Sequence, residues 1–213
     1  MTTTASPVAR ATRLLRFDRV QRTVHWLNAA LFILLILTAI PLYFGSLLGV
    51  TFPRHTIQMV HLWAGLVLPL PIALALLGSW GRRMRDDWRR ASQWTRTEIR
   101  WLRTFGREPL VADKFNPGQK ANAIFTIASI VVLFATGYIL QWFRFFPVPW
   151  REGATVTHDL FAFAVFAVVV GHVALAVTHP ESLRSMFTGK VRVEWARRHA
   201  PAWFDEEGPT DPD

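Results

Sequence analysis

Four apolar runs leave this chain few ways to fold. They are Val24–Phe44, Ile57–Trp80, Ala121–Phe143 and Val156–Thr178, each 21 to 24 residues long and none containing Lys or Arg. A helix needs about 20 apolar residues to cross a hydrocarbon core about 30 Å thick. Backbone in lipid must satisfy its own N–H and C=O groups, so such segments span as helices. The runs therefore predict an all-α integral membrane protein, a four-helix transmembrane bundle over residues 23–180. Residues 1–22 and 181–213 read as tails, and 81–120 as a loop within the membrane domain. Pro69 and Pro71 fall inside the second run, where a kink is tolerated if neighbouring helices re-satisfy the freed backbone groups. The first run is too long for the apolar core of a cleaved signal peptide and is expected to be retained.

Charge sets the expected orientation. The chain has 24 Lys+Arg against 15 Asp+Glu, a net charge of +9. Five of the basic residues precede the first run and 11 lie in Gly81–Lys120. Another five follow the last run, and only Arg54, Arg144 and Arg151 lie in the other two loops. By the positive-inside rule both termini and the long loop are predicted to be cytoplasmic. The same distribution argues against nucleic-acid binding, because no basic domain with its own core is left over. Within the long loop, Trp88, Trp94 and Trp101 interleaved with arginines suggest an amphipathic helix on the membrane lipid surface. A solvated connector is the alternative. The acidic, Pro-containing end Glu206–Asp213 is expected to be disordered.

The chain has no cysteine. That excludes disulfides, Cys-ligated zinc, iron–sulfur clusters and covalently attached c-type haem. The remaining nitrogen ligands are His25, His55, His61, His158, His172, His179 and His199. His158 and His172 stand 14 residues apart, so both leave nearly the same helix face with a rise of about 21 Å between them. One metal ion cannot bridge that distance; two stacked sites can use it. With alternating helix directions, His25 matches His172 in depth near the inner surface, and His61 matches His158 near the outer. Facing imidazoles on neighbouring helices of a bundle suit two bis-histidine haems b. Gly65 and Ala162, each four residues after an outer histidine, leave room for a flat macrocycle, as Gly137 does in the third run. His55, His179 and His199 lie outside core depth. Structural histidines in a haem-free transporter or scaffold are the contrasting possibility. The sequence assigns no role to Asp159.

Several stretches resemble the cytochrome b (gamma) subunit of membrane-bound formate dehydrogenases. They are "DRVQRTVHW" entering the first run, "VHLWAG" in the second, "DKFNPGQKANA" entering the third, the 14-spaced histidine pair and "GKVRVEWARRHAPAWF" near the end. The resemblance implies haem ligands at His61 and His158 for the outer centre and at His25 and His172 for the inner. It implies a quinone site near the inner haem at Asn116, Gly118 and Gln119, although Asn116-Pro117-Gly118 is equally a turn that starts a helix. Arg22, with Arg19, is a candidate propionate partner or else a topology charge. The implied partners are an iron–sulfur (beta) subunit and a molybdenum- or tungsten-containing catalytic (alpha) subunit, with quinone as mobile substrate. The chain would then be an electron-transfer subunit in a bacterial cytoplasmic membrane, without formate-oxidising chemistry of its own. The same architecture also suits the cytochrome b of a nickel–iron hydrogenase or a sulfur-oxyanion reductase. A stand-alone dihaem superoxide:quinone oxidoreductase is a further alternative.

Overall fold

In the computed structural model of the chain, residues 12–45 and 53–208 are described. The order of elements is β1 (Arg13–Leu15), α1 (Arg19–Phe44), α2 (Arg54–Val67), α3 (Leu70–Leu77), α4 (Arg82–Ser92), α5 (Arg96–Arg103), α6 (Pro117–Gln141), α7 (Val148–Thr178), α8 (Pro180–Thr188), β2 (Lys190–Arg192), α9 (Val193–His199) and α10 (Pro201–Glu207). Four spans are long and apolar enough to cross a membrane: Arg19–Phe44, Arg54–Leu77, Pro117–Gln141 and Val148–Thr178. The protein is an integral membrane helical bundle, as the four apolar runs predict. Its largest side chains face outward, with Leu77 and Trp63 among the most exposed. That is the pattern expected where lipid is the solvent.

Helix starts are written locally. Asp18 caps α1, accepting from Gln21 N at 2.8 Å while Gln21 Oε1 accepts from Asp18 N. Asn116 caps α6 in the same reciprocal way with Gln119, and the buried Pro117 occupies the first turn, where its missing N–H costs nothing. The second span is interrupted at Leu68–Pro69, between α2 and α3. Pro69 and Pro71 lack the donors that would continue the ladder. Asn28 Nδ2, buried on α1, donates to the Leu68 carbonyl at 2.9 Å and ties α1 to the break. Around this point Phe32, Leu68, Ile130 and Val165 form a core drawn from all four spans.

At the end holding the N-terminal segment, the long loop and the C-terminal segment, the chain builds a compact cap. β1 pairs antiparallel with β2, Leu14 opposite Val191. Val191, Ala196, Ala200 and Trp203 form a second small core, with Leu14 packed on it. The expected single amphipathic helix of the loop is two helices, because Thr95 caps α5 and ends the run after α4. Nor is the loop only a surface. Lys114 Nζ lies 2.7 Å from both Asp87 oxygens, and Lys120 Nζ lies 2.6 Å from Glu98, with both lysines buried. Against the expected disorder, Glu206 and Glu207 close α10, with Glu206 paired to Arg90; the expectation for residues 209–213 falls outside those described.

Candidate haem site

The two transverse histidine pairs meet. His25, in the second turn of α1, faces His172 on α7 with ring centroids 6.2 Å apart. His61 on α2 faces His158 on α7 with centroids 6.4 Å apart. The first pair sits toward the cap end and the second toward the opposite end. A metal–imidazole nitrogen bond is about 2 Å long, so rings at these separations leave room for one metal ion between a nitrogen of each. Among the described residues no group of three or more His, Asp or Glu side chains could hold a bare metal ion. Two imidazoles suit an iron whose other four positions are filled by a macrocycle, so the donor set fits haem b.

Neighbouring side chains fit too. A Cβ on Gly137 would lie 3.5 Å from His158 Cε1, and one on Gly65 would touch only Leu35 Cδ2 at 3.9 Å. Gly137 thus lies directly beside the His158 ring, and Gly65 faces α1 at Leu35. The Nδ1 atoms of His61 and His158 each lie within hydrogen-bond distance of a threonine, Thr38 at 2.8 Å and Thr136 at 2.9 Å. Sequence reasoning missed both threonines. Their only signal is a hydroxyl inside an apolar run, and its partner lies on another helix.

Other candidates are placed as follows. Asn116 and Gln119 spend their side-chain oxygens on the α6 cap, leaving both amide NH₂ groups as donors. Gly118 and Gln119 are exposed beside them. Arg22 Nε donates to the Asp18 carbonyl at 3.2 Å and its Nη1 donates to the Phe187 carbonyl, tying α1 to the end of α8. His55 is exposed at the start of α2. His179 closes α7 through the Leu175 carbonyl at 2.8 Å, and His199 stacks on Trp195. Nothing in the structure explains Asp159.

The cap holds the approach to α6. Arg16, 3% exposed, donates to the Lys114 carbonyl at 3.1 Å and stacks on Trp195. Burial lowers its pKa to about 10, against the raising influence of Asp87. Burial also raises Asp87 above the usual carboxylate range, although Lys114, Gln21 and Arg90 oppose the shift. It lowers Lys114, opposed chiefly by Asp87. In Glu98 burial acts upward, but hydrogen bonds from Lys120 and Thr95 outweigh it and hold the carboxyl below its ordinary value.

A membrane bundle with two stacked histidine pairs across it is the architecture of a b-type cytochrome. The sequence pattern of the prokaryotic cytochrome b561 family matches residues 16–189, and the chain belongs to that family. Membership brings haem b as the cofactor class. Among curated relatives, the formate dehydrogenase cytochrome b556 subunit of Haemophilus influenzae is 27% identical over 208 residues, covering 94% of this chain and 86% of that one. The nitrate-inducible formate dehydrogenase cytochrome b556(Fdn) subunit of Escherichia coli K12 is 25% identical, with 93% and 94% covered. The cytochrome b556(fdo) subunit from the same strain is 24% identical, with 91% and 92% covered.

Proposed function

We propose that this chain is the dihaem cytochrome b subunit of a respiratory formate dehydrogenase. The observation that carries the reading is the pair of transverse histidine couples, each with its two imidazoles facing across about one metal ion's width, at centroid distances of 6.2 and 6.4 Å. His61 and His158 hold the outer haem b, and His25 and His172 the inner one. Bound there, the two haems supply one-electron carriers between an iron–sulfur subunit at the outer face and membrane quinone at the inner face. The chain's own residues fix where this happens. The basic end is cytoplasmic, on the charge asymmetry. Arg22 keeps both Nη2 N–H groups for a haem propionate, while its Nε and Nη1 each donate to a backbone carbonyl. Asn116 and Gln119 offer amide N–H donors to a quinone carbonyl, and Gly118 allows close approach. The catalytic partner is a molybdenum- or tungsten-containing subunit joined through the iron–sulfur subunit.

The test is a reduced-minus-oxidised spectrum with haem quantitation on purified protein, followed by formate addition to membranes containing the whole complex. About two b haems per chain are expected, one per histidine pair, and formate should reduce both. A haem-replete preparation without a Soret band contradicts the cytochrome reading. Two haems that formate leaves oxidised, while another donor reduces them, contradict the formate dehydrogenase partnership.

A further inference from the structure

The two histidine pairs share a spacing but not a surrounding. At the outer pair all four spans contribute: His61 from α2, His158 from α7, Thr38 from α1 and Thr136 from α6. Thr38 Oγ1 lies 2.8 Å from the Leu34 carbonyl and 2.8 Å from His61 Nδ1. Thr136 Oγ1 lies 2.7 Å from the Val132 carbonyl and 2.9 Å from His158 Nδ1. Each hydroxyl has one proton and two lone pairs. The carbonyl one turn earlier can only accept, so the threonine donates its proton there. A lone pair then faces the imidazole, and Nδ1–H donates to it. That tautomer leaves the Nε2 lone pair free for a metal. His25 and His172 have no ring-nitrogen hydrogen bond among the described residues.

We propose that Thr38 and Thr136 are positioning residues that hold His61 and His158 in the metal-binding tautomer and set the outer haem's reduction potential below that of the inner haem. The inference rests on the two-haem reading above. A ligand imidazole that donates from Nδ1–H becomes a more basic ligand, which favours the more highly charged oxidised iron. Two such bonds act at the outer site, and among the described residues none acts at the inner. The resulting order, lower potential outside and higher inside, makes the step from outer to inner site downhill. A threonine that merely closes its own helix turn needs no imidazole within reach, yet both hydroxyls have one, on ligands of the same pair.

The experiment is a redox titration, followed in the b-haem absorbance, of the purified full chain and of Thr38→Val, Thr136→Val and the matching serine variants. His61→Ala identifies the outer centre as the one it removes. Each valine variant should shift the outer centre's reduction equilibrium about threefold toward the reduced form, and the double variant about tenfold, which is about 59 mV for a one-electron couple. The inner centre should not move, and serine should restore the original value. Unchanged outer potentials in valine variants that retain both haems overturn the proposal and leave the two-haem reading standing. A wild-type chain that holds no b haem overturns that reading instead. If a valine variant loses the outer haem, its serine counterpart carries the test. Serine keeps the acceptor, so a potential shifted as far as assigned to valine overturns the proposal.

Discussion

The membrane bundle and the cap at its basic end are built by opposite means. In the spans the large side chains face outward, and the core is a thin line of Phe32, Leu68, Ile130 and Val165. No Lys or Arg lies within the apolar runs, and the polar groups there are the histidines, their threonines, Asn28 and a few others. In the cap, two lysines are buried against carboxylates, an arginine is buried between rings, and Trp203 is fully enclosed. The difference separates two jobs. The bundle presents its histidine pairs at fixed depths, whereas the cap fixes how α1, α4, α6 and the C-terminal segment meet. Variants in one region should therefore leave the signature of the other intact.

The largest effect expected in the cap is from Lys114→Met, which strands Asp87. Breaking one side of a buried pair costs about 3–5 kcal/mol, so the thermal midpoint of the detergent-solubilised chain should fall sharply while haem content per folded chain stays unchanged. Loss of a haem with little loss of stability would erase the proposed division. Gly189→Ala comes next. Gly189 has φ +80°, and a Cβ there would meet the Phe17 carbonyl at 2.5 Å, where the N-terminal segment docks. The left-handed conformation alone costs a non-glycine residue about 1–2 kcal/mol, again to be seen in melting and not in the haem spectrum.

Asn116 tests the border between the two regions. Asn116→Ala removes the cap of α6 and should cost about 1 kcal/mol. Asn116→Asp keeps the capping oxygen and removes only the spare NH₂. If that group serves quinone, the aspartate variant should raise KM for quinone severalfold with an unchanged melting temperature. An unchanged KM would reduce this residue to its capping role. The smallest effect is on pH dependence. Glu98 has a depressed pKa, so its contribution is complete above the unfolded value and is lost as pH falls through the folded one. Asp87 has a raised pKa, so its contribution runs the other way, present at low pH and lost as pH rises through the folded value. Glu98→Gln should flatten the acid loss of stability and Asp87→Asn should steepen it, in melts from about pH 6 to about pH 3.

The bundle was legible because lipid imposes length, and helix geometry imposes depth. The four runs and the spacing of His158 and His172 follow from these alone. The cap was not. Its "DKFNPGQK" stretch suggests a quinone loop and also carries structural roles: Lys114 and Lys120 are buried ion-pair partners, Phe115 stacks on Phe17, and Asn116 with Gln119 caps α6. The cap of α6 is local and matches the helix-starting turn read there, but Asp87 in α4, Glu98 in α5 and Phe17 in the N-terminal segment lie far away in sequence, and no local pattern announces them. Thr38 and Thr136 escaped for the same reason. The "GKV" of the tail becomes intelligible only once Gly189 is seen accepting from Arg16 N and Phe17 N.

The pairing of histidines by depth is tested most directly by counting haems in double alanine variants. His61→Ala with His158→Ala should remove the same single haem as either change alone, leaving one per chain. His61→Ala with His172→Ala should remove both. The reverse result, one haem left in the second variant and none in the first, would contradict the pairing.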